Sequence, residues 1–250
     1  MIDKETLQKI AKLNNLRPWQ QEKHYIQSII LVALSEHPLL FKGGTYLWFF
    51  HGLPRFSEDL DFTCSEEVPQ DLPARVSESL RLFGVENAIK PEKPMPQAFS
   101  FRISAKGPLN TGEIDVCHVY VEISRRETPM QPPSPFPFAQ AQYSLPSKVV
   151  SGMALDEVTA EKVRAIITRD KARDVYDLFF LIENKNVKFN EEMINAKLAY
   201  YDLKFSQKVF GEKLKEKKEF WKGELKPLVF GGLPTFEAAE KTVKAWANQK

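Results

Sequence analysis

The chain has 250 residues, 43% of them hydrophobic, enough apolar mass for a substantial packed core. Lys and Arg number 35 against 33 Asp and Glu, a net charge of +2, so no global electrostatic argument points to nucleic acid or membrane, and any polyanion site must be local. Cys64 and Cys117 lack CxxC or Cys/His neighbours, the amino-terminal segment lacks an apolar signal core, and runs such as Ile29 to Leu34 are too short to span a bilayer. A disulfide framework, a zinc site, secretion and membrane insertion are all disfavoured, and a cytoplasmic location is expected.

Apolar residues recur at helical spacing from Lys4 to about Ser35 (Leu7, Ile10, Leu13, then Ile26, Ile29, Ile30, Ala33), with Leu16-Arg17-Pro18 breaking them into two helices. Leu39-Leu40-Phe41 is an apolar run ended by Gly43-Gly44, and the aromatic stretch from Thr45 to Phe50 follows, which predicts strand, tight turn and short buried helix. Phe56 to Cys64 alternates as a second strand. Arg75 to Phe83 is amphipathic at helical period, whereas Phe99 to Ser104 and Ile114 to Ile123 alternate at period two.

Pro129, Pro132, Pro133, Pro135 and Pro137 fix φ and remove donors, so this stretch is expected to be an extended connector leaving the sheet. From Asp156 onward the pattern is helical: Val158, Val163, Ile166, Ile167, then Val175, Leu178, Phe179, Ile182, then lysine-rich helices. The expected organisation is α+β, with an α/β domain over 1–135 carrying a mixed sheet and flanking helices, and a mainly helical lobe over 136–250. Residues 161–226 hold sixteen Lys or Arg against twelve Asp or Glu, whereas residues 55–100 hold five against nine. That asymmetry suits an acidic metal pocket and a basic helical lobe.

Asp59-Leu60-Asp61 on a strand puts both carboxylates on one face, about 7 Å apart at Cα, with Leu60 and Phe62 turned to the core. Two carboxylates about 4 Å apart would repel by roughly 4 kcal/mol at an effective dielectric of 20, so the pair calls for a divalent cation, a shared proton or basic partners. Oxygen-only ligands favour Mg²⁺ or Mn²⁺. Alone, Asp-x-Asp is more often a solvated strand edge or turn. Upstream, however, Gly43-Gly44-Thr45 offers a turn where backbone can approach phosphate, Gly44 being placed for φ > 0, and a helix N-terminus follows.

A phosphate cradle beside metal ligands is what in-line attack on an α-phosphate requires. A third carboxylate should come from a neighbouring strand. Glu122 in Val119-Tyr120-Val121-Glu122-Ile123 is best placed, with Glu113 and Asp115 as rivals, and the bland alternative is a solvent-facing strand residue. Lys162 and Asp177 could meet across a helical hairpin, either as a structural ion pair or with Lys162 facing a triphosphate.

Phe41-Lys-Gly-Gly-Thr-Tyr-Leu followed by Arg55-Phe-Ser-Glu-Asp-Leu-Asp-Phe resembles the AbiEii-type, or MenT-like, toxin family of nucleotidyltransferases. Val121-Glu-Ile-Ser, Glu161-Lys-Val-Arg-Ala and Arg173-Asp-Val-Tyr-Asp-Leu-Phe-Phe resemble its later motifs, so the matches run from about residue 39 to 183. The resemblance implies a polymerase-β-like fold, an NTP substrate, a cognate antitoxin protein, and for MenT-like members an RNA acceptor at the tRNA 3′ end. By position it implies that Gly43, Gly44, Thr45, Arg55, Ser57 and Lys162 bind nucleotide. It implies further that Asp59, Asp61 and Glu122 hold metal, and that Asp59, Asp61, Lys162 and Asp177 are catalytic.

Two other readings share parts of this pattern: a nucleotide- and antitoxin-binding protein without transferase activity, and a transferase modifying a small molecule or a protein hydroxyl. His24, His37, His51 and His118 lack mutual ligand spacing and read as surface or satisfied core residues. Tyr46, Trp48, Phe49 and Phe50 read as core, and Lys213 to Lys218 as a solvated helix face able to track an RNA backbone.

Overall fold

The computed structural model describes residues 1–249 except 93, 94, 96 and 113. The chain forms two compact units, the first made of Met1–Tyr46, Glu58–Thr128 and Pro133–Gly152, the second of Leu47–Ser57, Pro129–Pro132 and the chain from Met153 onward.

The first unit opens with helices α1 (Lys4–Leu13) and α2 (Pro18–Leu34). Asp3 caps α1 by accepting from the Thr6 N–H at 2.7 Å, and Pro18 starts α2 where its missing donor costs nothing. Then come β1 (Leu40–Lys42), α3 (Gly43–His51), β2 (Leu60–Thr63), α4 (Leu72–Leu82), β3 (Glu86–Pro91), β4 (Ala98–Lys106), β5 (Cys117–Ser124), β6 (Ser134–Phe138) and β7 (Lys148–Gly152). The described strands form one mixed sheet in the order β3-β4-β5-β2-β1-β7-β6. Within it β2 runs parallel to β5 and β1 parallel to β7, and the remaining pairs are antiparallel. Its core is built from alternate residues, Leu60 and Phe62 on β2 with Val119, Val121 and Ile123 on β5, all nearly or fully buried.

Only the first part of the proline-rich stretch leaves the sheet: Pro129–Pro132 belongs to the second unit, and the rest returns to the sheet. Ser134-Pro-Phe-Pro-Phe forms the edge strand β6, paired with β7 from Ser134↔Gly152 to Phe138↔Lys148. Pro135 and Pro137 share one parity, so both missing donors can face away from β7, the arrangement that lets proline sit in an edge strand. The sheet therefore claims residues past 135, and the first unit ends at Gly152 instead.

In the second unit, α5 (Leu155–Thr168) and α6 (Ala172–Lys185) form a tight helical hairpin, followed by α7 (Glu191–Ala199), α8 (Gln207–Glu216), α9 (Lys218–Leu225) and α10 (Phe236–Ala247). Residues 47–57 join this unit through main-chain bonds: Phe56 N–H donates to Leu228 O at 2.8 Å and Phe230 N–H to Pro54 O at 2.9 Å. Trp221 and Trp246 are buried and donate to Pro234 O and Val187 O. Lys217, expected on a solvated face, is buried between α8 and α9 with Nζ 2.6 Å from Asp170 Oδ1. Among the described residues no helix is long and apolar enough to cross a membrane.

Candidate active site

In the first unit, β1 passes into α3 without a loop, and Gly43 makes the turn with φ +78° in the left-handed region. Sequence placed that need at Gly44; the structure places it at Gly43. Gly43 is required for a second reason, since a Cβ there would collide with Asp61 Oδ2 and lie 3.0 Å from Asp61 Cβ. Because α3 starts at Gly43, the N–H groups of Gly43, Gly44 and Thr45 belong to a first helical turn that lacks intrahelical acceptors. Thr45 is fully buried and its hydroxyl donates to the Asp59 carbonyl, so its side chain ties the turn to the carboxylate strand.

Asp59 immediately precedes β2 and Asp61 lies within it, both half-buried, while Leu60 and Phe62 between and beyond them point into the core. Gln27 Nε2 donates to the Glu58 carbonyl at 2.8 Å and Lys23 pairs with Glu58 at 2.5 Å, anchoring the approach to the strand. The parallel pairing of β2 with β5 sets Asp61 opposite Glu122, and β4 sets Ser100 on Glu122's other side. Glu122 is 40% exposed and accepts from Arg126 Nη2 at 2.9 Å. Asp115 lies outside this row, exposed in a turn before β5 and accepting from Thr111. Glu113 lies outside the described residues.

Asp59, Asp61 and Glu122 are an all-oxygen donor set on neighbouring strands, chemistry that fits a hard divalent cation. Among the described residues, no group of three or more His, Cys, Asp or Glu side chains is gathered closely enough to hold a metal ion.

The second unit holds a different charge cluster. Arg55 is 2% exposed and donates through Nε and Nη2 to the two oxygens of Asp177, both at 2.6 Å, and through Nη1 to Phe56 O at 3.0 Å. The expected presentation of Arg55 to nucleotide is thus not what the fold provides: Arg55 is a buried anchor. Arg169 grips Asp174 in the same two-pronged way, at 2.7 and 2.8 Å. Lys162 bridges the pairs, its Nζ 2.6 Å from Asp177 Oδ2 and 3.1 Å from Asp174 Oδ1. Ser57 is half-buried.

Burial pushes the Asp177 carboxyl upward, but Arg55 and Lys162 outweigh it and hold it below the usual carboxylate range. Asp174 is likewise pushed up by burial and held down by Lys162 and Arg169. Three cations face two carboxylates, 3 − 2 = +1. Since each carboxylate already has a bidentate arginine, Lys162 is the surplus charge. Asp174 carries as much of this network as Asp177, yet sequence offered only its place three residues before Asp177 on the same helical face.

A family model described as nucleotidyl transferase AbiEii toxin, type IV toxin–antitoxin system, matches residues 27–245. The chain belongs to that family and is a nucleotidyltransferase. Solved structures share the fold. MenT4, a nucleotidyltransferase toxin of Mycobacterium tuberculosis, superposes with a TM-score of 0.65 at 18% identity, covering 99% of this chain and 89% of its own. JHP933 of Helicobacter pylori superposes with a TM-score of 0.62 at 22% identity, covering 91% and 90%. A putative nucleotidyltransferase of H. pylori gives 0.62 at 22%, covering 90% and 91%. No curated protein matches the sequence. Family membership implies a nucleotide substrate and an antitoxin partner.

Proposed function

We propose that the chain moves a nucleotidyl group from an NTP onto an RNA acceptor, the tRNA 3′ end in the first instance, with Mg²⁺ or Mn²⁺ held by Asp59, Asp61 and Glu122. The observation that carries this reading is the register of β2 with β5, which aligns Asp61 with Glu122 one strand away from the Gly43 turn. When bound, a divalent cation supplies Lewis-acid polarisation of phosphate oxygens and neutralises charge developing during transfer.

The chain's own residues do the rest. The first-turn N–H groups from Gly43 to Thr45 receive phosphate oxygens, and the Thr45 hydroxyl fixes that turn to the strand carrying the carboxylates. Lys162 and Asp177 enter through the family's helical motif and the surplus positive charge of their cluster, with Lys162 neutralising phosphate and Asp177 positioning Lys162. The protein acts as a toxin opposed by an antitoxin, in the cytoplasm.

Incubating the protein with each labelled NTP, Mg²⁺ and total RNA should label one RNA band. Chelation should abolish the labelling, and Mg²⁺ or Mn²⁺ should restore it. Label appearing in protein or small molecules and never in RNA would overturn the acceptor assignment.

A further inference from the structure

Strand alternation gives the sheet two unlike faces. Phe101 and Ile103 on β4 and Val119 and Val121 on β5 face inward and are essentially inaccessible. That is the α4 side, since Ser77 on α4 donates to Asn87 at 2.8 Å and Asn87 stands opposite Ala105. The opposite parity carries Lys90, Arg102 and Tyr120 in a single row: Lys90 pairs with Arg102 across β3–β4, and Arg102 with Tyr120 across β4–β5. The adjoining row holds Asp61, Glu122 and Ser100. The two rows are two residues apart on β5, about 7 Å.

Tyr120 is 43% exposed, and Arg102 Cζ lies 6.0 Å from its ring centroid. Among the described residues no carboxylate stands within ion-pair distance of Arg102 or Lys90, and Arg102 Nε has no acceptor. An exposed aromatic ring beside an arginine, with a lysine one strand further along the same row, is chemistry for an unpaired base and its phosphates. Position separates this ligand from the incoming nucleotide. In the strand order β4-β5-β2-β1, Asp61 on β2 lies between the Gly43 turn at the end of β1 and Tyr120 on β5, the strand that also carries Glu122. In-line transfer needs the phosphate on one side of the carboxylates and the attacking hydroxyl on the other.

We propose that Tyr120, with Arg102 and Lys90, stacks and holds an unpaired base of the acceptor strand next to the carboxylates. The assignment of that strand as acceptor rests on the reading that RNA receives the nucleotide.

The test uses the full chain, without NTP, and two fluorescein-labelled RNA hairpins of the same stem, one with a short unpaired 3′ end and one blunt. Tyr120→Ala should weaken binding of the unpaired end at least about tenfold, the lower part of the range for one stacked base, and leave the blunt hairpin unchanged. Tyr120→Phe should bind as wild type. Unchanged affinity in Tyr120→Ala would overturn the platform, as would a loss confined to the KM for NTP, which would give the ring to the incoming base. If wild type bound the unpaired end through Tyr120 yet never labelled RNA, the acceptor assignment would fall and the platform would stand. If wild type labelled RNA and Tyr120→Ala matched it in rate and affinity, the reverse would hold.

Discussion

The carboxylates of β2 and β5 and the charges gathered around α5 and α6 are built on opposite plans. Asp59, Asp61 and Glu122 are partly exposed carboxylates on one sheet face, and Arg126, which pairs with Glu122, is itself partly solvated. Asp174 and Asp177 are fully buried, and every oxygen of theirs meets an arginine or lysine. Charges near solvent are screened and exchange partners at little cost, whereas buried charges must be balanced internally or the fold loses stability. The first cluster should answer to substitution in activity, and the second in stability.

The largest loss is expected at β2. Asp59→Asn or Asp61→Asn should abolish transfer while thermal melts hold steady or rise, because each removes a ligand charge and relieves repulsion. Near-wild-type transfer in either variant would break the comparison at its first member.

Asp177→Ala inverts the pattern. It leaves three cations against one buried carboxylate, and removing one partner of a buried pair costs about 3–5 kcal/mol, measurable as a drop in the denaturant midpoint. Lys162→Ala leaves two against two, with both bidentate arginine pairs intact, so it should cost less stability than Asp177→Ala. Transfer per folded molecule should nonetheless fall more than about tenfold, since one charge-assisted contact is worth about 1.5–3 kcal/mol. Equal melting curves for the two variants would show that Lys162 is not surplus.

Acid sharpens the contrast. The carboxyls of Asp174 and Asp177 are held below their ordinary 3.8, so between that value and their folded values the unfolded chain binds more protons. Their contribution is complete above 3.8 and is lost as pH falls below it. A melting temperature that declines in that window in wild type, with a shallower decline in Asp177→Ala, is the expected result.

Sequence made the first cluster legible and much of the second opaque, for a physical reason. The β2 carboxylates are separated by one buried leucine, so period-two alternation alone puts them on one face, and Gly-Gly before an aromatic run marks the turn. Only the choice of glycine failed, because the contact that excludes a Cβ at Gly43 comes from Asp61, eighteen residues away in sequence (61 − 43 = 18). Arg55 and Asp177 are partners across 122 residues, and no local spacing announces them. Lys217 likewise sat in a charge run that reads as solvated, yet the junction of α8 and α9 buries it. The prolines of β6 were read for the donors they lack rather than for the edge position that tolerates the lack.

Gly43→Ala should have an intermediate effect, felt in both measurements. The left-handed backbone costs an L residue about 1–3 kcal/mol where the surroundings enforce it, and the new methyl displaces the Asp61 carboxylate. Transfer should fall with a raised KM for NTP, and stability should fall as well. Gly44→Val, with no positive φ to violate, should be the milder of the two in stability.

The smallest stability effect is expected at Glu122, and it decides the third carboxylate. Glu122 and Arg126 form a partly solvated pair, with side chains 40% and 24% exposed, and such pairs contribute about 0–1 kcal/mol. Glu122→Gln keeps shape and hydrogen bonding while removing the charge, so the melt should shift little. If Glu122 serves only as a solvent-facing partner of Arg126, transfer will be equally indifferent, and Arg126→Gln will match it. If Glu122 shares a cation with Asp61, to which the β2–β5 register aligns it, Glu122→Gln will lower transfer and raise the Mg²⁺ concentration needed for half-maximal rate. Arg126→Gln will not raise that requirement, because it frees Glu122 of a competing charge. Metal titrations of these two variants beside Asp115→Asn, whose side chain lies outside the Asp61–Glu122 row, therefore separate a ligand from a surface pair without relying on loss of activity alone.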